Sequence, residues 1–197
     1  DTPVYHLNTD TDKRRLACLA NGWEASDPKA FYKWFRDALT GGEREQVRRL
    51  IRYLKAWAAV SFDDIPDSRP SSIFLTVLAT KAYSDIWFAR LLGLPDDDAL
   101  ISIIRAIHGR LNRDRRVQNP ATKEEENLNR MSDEAWVAFI PRLDTLLDVA
   151  ERAADAADEG AAALIWSEAF SFLMPLPNVD EVELVDERTS RALMQLP

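Results

Sequence analysis

Apolar residues return every three or four positions along most of this chain. Val47, Leu50, Ile51, Leu54, Trp57 and Ala58 share one wide face at about 100° per residue, which predicts a helix over about 43–60. Arg48, Arg52 and Lys55 form a basic ridge along its flank, either solvated or bound by a ligand. Upstream, Asp27 and Pro28 supply an N-cap and first-turn pair for a helix with Phe31, Trp34, Phe35, Ala38 and Leu39 on one face, ended by "TGG". Ser71 or Ser72 can begin a third helix running to "LLGLP". Asp96 to Asp98 place three carboxylates at the positive end of a fourth, whose apolar face is Leu100, Ile103, Ile104 and Ile107. Ser132 opens a long helix through Trp136, Phe139, Ile140, Leu143, Leu146, Leu147 and Ala150, in which Pro141 should produce a kink. A last amphipathic helix covers about 161–173.

Between these stretches the periodicity fails. "DTPVYHL" reads as an extended strand, "NTDTDKRR" as a loop, and the two prolines of "SFDDIPDSRP" forbid helix continuation. "RLNRDRRVQNPATKEEEN" reads as a charged loop with a short helical turn, and residues 179–197 as a tail or short strand. The expected fold class is mainly α: a helical bundle with marginal β-strand content at the N-terminus. Residues 1–22 are expected as a terminal strand and loop, 23–178 as the helical lobe, and 179–197 as a tail packed on it.

Composition narrows the function classes. The chain has 197 residues, 46% of them apolar, enough for a proper core. Its net charge of −8 argues against general nucleic-acid binding and against anionic membranes, because a phosphate backbone would meet a repulsive field. A local basic pocket is still compatible with that charge. No stretch approaches the roughly 18 consecutive apolar residues of a membrane span. The single Cys18 cannot form an internal disulfide, as expected of a cytoplasmic protein.

Few residues carry recognisable chemistry. Asp10 and Asp12 in "DTD" could chelate a cation, but their neighbours are turn formers, and a solvated loop is the simpler reading. His6 and His108 are far from each other and from Cys18 in sequence, without metal-ligand or thiol–imidazole spacing. Neither a nucleophile elbow nor a phosphate-binding glycine loop occurs. Lys55 read with "RPSS" is more promising. If the two helices pack antiparallel, an ammonium, a hydroxyl and free backbone N–H groups converge as a polyphosphate seat, against the plainer reading of a solvated ridge and an ordinary N-cap serine. In "RDRRVQNP", Arg113, Arg115 and Arg116 stand near Asn119 and Pro120, where they could clamp a phosphate or read a base edge, or serve only solubility.

The order "DTPVY", "WEASDPKAFYKWF", "RRLIRYLKAW", "RPSSIFLTVLATKAY", then "NP" with "ENLNRMSDEAW" resembles the C-terminal part of the bacterial cGAS/DncV-like nucleotidyltransferases, the CD-NTases of antiphage signalling. The resemblance covers nearly the whole chain. It implies a helical lobe joined to an N-terminal nucleotidyltransferase lobe, with ATP or GTP in the cleft between them. It also implies a cyclic di- or oligonucleotide product and protein partners from a defence operon. "DTPVY" matches the family's strand pattern, so the resemblance makes Asp1 the third Mg²⁺-binding, catalytic aspartate. It places Lys55 and Ser71, with Ser72 as the other register, on the donor triphosphate, and Asn119 with nearby arginines as base or acceptor contacts.

The departures are equally specific. The sequence contains no Gly-Ser dipeptide and no strand carrying the first two metal-binding acids. One aspartate cannot organise the metal ions of phosphoryl transfer, so the expectation is a C-terminal portion of a longer enzyme, inactive alone. The rival from another class is a stand-alone helical module that binds an acidic protein partner. A helical ribonuclease would want an Arg-x4-6-His pair, but Arg105 lies only three residues before His108.

Overall fold

The computed structural model describes the side chains of residues 28–86, 93–122 and 126–174, and the backbone of two short strands before them. The strands, β1 (Arg15–Cys18) and β2 (Gly22–Ala25), pair antiparallel with Arg15 opposite Ala25 and Cys18 opposite Gly22. This hairpin straddles the expected boundary between the terminal strand and loop, 1–22, and the helical lobe. The expected strand at "DTPVY" and the expected C-terminal tail or strand lie outside the described residues.

Six α-helices follow among the described residues: α1 (Pro28–Ala38), α2 (Gly41–Ser61), α3 (Ser72–Asp85), α4 (Asp96–Leu111), α5 (Asp133–Ala154) and α6 (Glu159–Phe170). The mainly α bundle expected from periodicity is therefore observed. α2 starts two residues earlier than its apolar face suggests. Gly41 adopts φ +38°, a left-handed conformation that glycine reaches without a Cβ clash, so α1 and α2 are joined by a very short turn. Glu43 then accepts hydrogen bonds from the backbone N–H of Thr40 at 3.2 Å and from its hydroxyl at 2.9 Å. Ser71, Ser132 and Asp158 cap α3, α5 and α6 by accepting from N–H groups three residues on. The described part of α3 ends at Asp85, and the expected extension through residues 87–92 lies outside the description. α5 continues through Pro141.

The core is centred on Phe139, which is fully buried on α5. Its ring stands 6.3 Å from that of Trp57, 6.1 Å from those of Phe62 and Phe74, and 5.5 Å from that of Trp136. Three helices and the turn after α2 thus meet on one aromatic side chain. α5 packs extensively on α6 and α4, and α2 packs on α3.

Two arginines finish helices whose own sequences lack a C-terminal cation there or need a second one. Arg44 donates to the carbonyls of Arg36 and Leu39, both at 2.7 Å, closing α1. Arg142, from α5, donates to the carbonyl of Ser61 at 2.7 Å, holds Asp64 through Nη2, and lies over the Phe62 ring at 5.1 Å. α2 has no basic residue in its last turn, and Arg142 supplies that positive charge to its negative end.

A half-buried polar network locks α2, α3 and α4 together. The hydroxyl of Tyr83 donates to Gln46 Oε1 at 2.7 Å, Gln46 Nε2 donates to the Leu94 carbonyl at 2.7 Å, and Arg49 grips Asp96 at 2.6 and 2.8 Å. The Arg49 guanidinium holds the Asp96 carboxyl below its ordinary value of 3.8. A carboxyl depressed in the folded state stabilises fully above its unfolded pKa, and that stabilisation is lost as pH falls through the lower folded value. Asp96→Asn should therefore lower stability to urea at pH 7. The difference from wild type should shrink once the pH falls below about 4. An equal deficit at pH 7 and at strongly acidic pH would rule out this linkage.

Candidate functional site

α2 and α3 present their polar edges to a hollow of about 770 Å³, closed on one side by α1 and on another by the loop between α4 and α5. Lys55, Ser71 and Asn119 all line it, so the structure brings three of the sequence-predicted residues to one place. Ser72 lies in an adjoining hollow of about 370 Å³, which Lys55 and Ser71 also border. Asp1 lies outside the described residues.

The ridge on α2 divides into paired and unpaired cations. Arg48 is held by Glu45 at 2.6 Å and lies 6.0 Å from the centre of the Phe35 ring, while Arg49 is committed to Asp96. Lys55 is half-buried and, among the described residues, makes no ion pair or hydrogen bond; Arg52 beside it is exposed and equally unpaired. A half-buried ammonium without a counter-charge keeps its full capacity for an anion, and water screens it less than a fully exposed one.

Ser71 is the N-cap of α3, its Oγ accepting from the N–H of Phe74 at 3.3 Å. The hydroxyl hydrogen is left to donate toward the hollow, and the first N–H groups of α3 have no intrahelical acceptors. Ser72 is the first helical residue, its carbonyl taken by the Thr76 hydroxyl at 2.7 Å. The helix start thus falls in the register that makes Ser71, rather than Ser72, the capping residue.

Asn119 is buried and carries a structural task. Its Nδ2 donates to Glu126 at 2.7 Å, its Oδ1 accepts from the N–H of Ala121 at 2.9 Å, and its own N–H donates to the Glu126 carbonyl at 2.9 Å. The stretch around it opens on a turn in which the N–H of Asp114 donates to the Arg110 carbonyl at 3.0 Å, and residues 123–125 of it lie outside the described residues. An isolated bridge pairs Gln118 with Asn127, anchored by the buried Val117 and Leu128 on either side. Of the nearby arginines, Arg113 bonds back to the Gly109 carbonyl and Arg115 to Asp133, and neither lines the hollow. The loop contributes Arg130 to the lining instead, paired with Glu126 at 2.8 Å, beside Arg48 and Arg52 from α2. Arg130 was hidden in a stretch whose charges have no period.

Much of the rest of the lining is apolar or aromatic, including Phe31, Tyr32, Ile51 and Ile73, with Glu45 and Thr76 among the polar residues. Tyr32 is 58% exposed, a large aromatic surface left uncovered at the mouth. The hollow thus joins a flat apolar wall to an edge of positive charge. Elsewhere, His108 meets Asp144 at 2.7 Å and Arg105 meets Glu151, which separates the two residues a ribonuclease would need to combine. Among the described residues no helix is long and apolar enough to cross a membrane, and no group of three or more His, Cys, Asp or Glu is placed to hold a metal ion.

Comparison with known proteins follows the same lines. No family model matches the chain. The cyclic GMP-AMP synthase of Escherichia albertii is 31% identical over 150 residues, which are 76% of this chain and 31% of the synthase. In fold, the Vibrio cholerae DncV cyclic AMP-GMP synthase in complex with the linear intermediate 5' pppA(3',5')pG superimposes with a TM-score of 0.63 at 20% identity, covering 87% of this chain and 43% of that one. Escherichia coli DncV in its 3'-deoxy GTP bound form gives a TM-score of 0.66 at 20% identity, with 88% and 46% covered. The chain spans about a third of the curated relative and less than half of either solved structure. In sequence and in fold, it is placed with the bacterial cGAS/DncV-like nucleotidyltransferases, as a match to the C-terminal part of their chains.

Proposed function

We propose that this chain is the triphosphate-binding helical lobe of a nucleotidyltransferase that makes a cyclic di- or oligonucleotide second messenger, acting in antiphage signalling. The observation that carries the reading is the unpaired, half-buried Lys55 beside the Ser71 cap, on the rim of a hollow with an aromatic wall. Similarity to a cyclic GMP-AMP synthase and to DncV bound to nucleotides supports the substrate class, ATP or GTP.

The chemistry follows from the charges. A triphosphate gives Lys55 the counter-ion it lacks, and Ser71 a second, hydrogen-bonded anchor at the start of α3. A hydrogen bond to a charged group contributes about 1.5 to 3 kcal/mol net, enough to fix the phosphates relative to the helices. Fixing them orients the α-phosphorus for attack by a ribose hydroxyl, the part of the rate enhancement that positioning supplies. Mg²⁺, which the resemblance implies, meets no carboxylate set among the described residues, and Asp1 lies outside them. The role assigned here is therefore binding and orientation, with the N-terminal nucleotidyltransferase lobe as the partner that completes the reaction.

Ser71→Asp separates this role from capping. Aspartate is as good an N-cap as serine and suits the helix dipole, so thermal stability should hold, whereas its carboxylate repels phosphate. In the full-length protein, affinity for ATP or GTP should fall at least tenfold with Tm unchanged. Undiminished affinity would overturn the assignment.

A further inference from the structure

The hollow adjoining the main one has a composition of its own. Lys55 and Arg69 both line it, together with Ser71 and Ser72, and no aspartate or glutamate does. In a chain whose net charge is −8, two cations facing one concavity without a carboxylate between them is a marked local excess. The main hollow, by contrast, includes Glu45 and Glu126 in its lining.

Arg69 is positioned rather than tethered. A short 3-10 turn, Pro66–Ser68, precedes it, and its N–H donates to the Pro66 carbonyl at 3.2 Å. Pro70 follows and is buried, restricting Arg69 to the extended backbone it adopts, φ −66° and ψ 130°. Two prolines thus fix where this residue stands. Its guanidinium, in turn, makes no ion pair or side-chain hydrogen bond among the described residues. The same loop spends Asp64 on Arg142 instead. An exposed, unpaired guanidinium on a fixed stretch of backbone is suited to a planar, two-point contact with phosphate oxygens.

Lys55 and Ser71 border both hollows, so a bound nucleotide crosses from one to the other at that edge. The aromatic wall lies on one side, and the acid-free cationic hollow on the other. We propose that Arg69 is a phosphate-binding residue that takes the terminal phosphate beyond Lys55 and Ser71, making the site select nucleoside triphosphates over mono- and diphosphates. This rests on the triphosphate reading above.

The test is binding of ATP, ADP and AMP, and of GTP, GDP and GMP, to the full-length protein, its Arg69→Ala variant and its Arg69→Lys variant. Wild type should prefer triphosphate over monophosphate. Arg69→Ala should cut that preference at least tenfold while leaving monophosphate affinity within about twofold, and Arg69→Lys should restore part of it. Parallel loss for all three phosphate lengths, or no loss at all, would overturn the role of Arg69 and leave the triphosphate reading standing. Wild-type protein that binds none of the six nucleotides would overturn both.

Discussion

Replacing Lys55 with alanine should weaken binding of ATP or GTP to the full-length protein at least tenfold, or lower its turnover by the same factor, without lowering Tm. The second half of that expectation comes from the structure. Lys55 has no partner among the described residues, whereas Arg49 and Arg48 on the same helix are committed to Asp96 and Glu45. Alanine at 55 therefore deletes a charge that the fold does not use, and it has the higher helix propensity. A tenfold loss is about 1.4 kcal/mol, close to the lower end of what one charge-assisted hydrogen bond contributes. The loss should also shrink as salt is raised, since screening already weakens the wild-type contact. Equal nucleotide affinity in wild type and variant at low salt would remove Lys55 from the site.

The largest effect on stability should come from Phe139→Ala. This side chain is fully buried, and four other aromatic rings lie within about 6 Å of it: Trp57, Phe62, Phe74 and Trp136. Rings cannot collapse into a vacated site as readily as aliphatic chains, so the cavity should persist. Phenylalanine-to-alanine changes in cores cost about 3 to 5 kcal/mol, a large part of the stability of an ordinary domain. Urea unfolding of the two proteins would measure it. A cost under about 1.5 kcal/mol would mean that this cluster is not the centre of the core.

Both residues were visible in the sequence, for different reasons. Phe139 falls in the strict helical repeat of α5, and Leu50, Leu54 and Trp57 fall in that of α2, because a helix that buries one face must repeat its apolar positions every 3.6 residues. All of them are buried. Lys55 became legible only through its pairing with a serine at the next helix start, and the packing of α2 on α3 does set both on one rim. What escaped lacks a period. The β1–β2 hairpin is four residues a side, too short for alternation to register. The loop bearing Asn119 is shaped by asparagine side chains, with Asn127 Oδ1 accepting from the N–H groups of Val117 and Asn129 at 2.9 and 3.1 Å. Bonds of that kind depend on where two distant stretches meet, and no local pattern records them. The same holds for Asn119 itself, singled out as a base contact, whose amide is bonded within its own loop.

The contact between Arg142 and the end of α2 spans 81 residues of sequence. The helix that carries Lys55 is thus completed by a side chain made long after it on the ribosome. A chain truncated before α5 would keep every residue that borders both hollows, yet its α2 would lose its terminal clamp as well as the aromatic rings beneath it. The smallest piece of this lobe able to present Lys55 in its native position is therefore set by α5, and any attempt to trim the domain toward its ligand-facing half has to stop beyond residue 142.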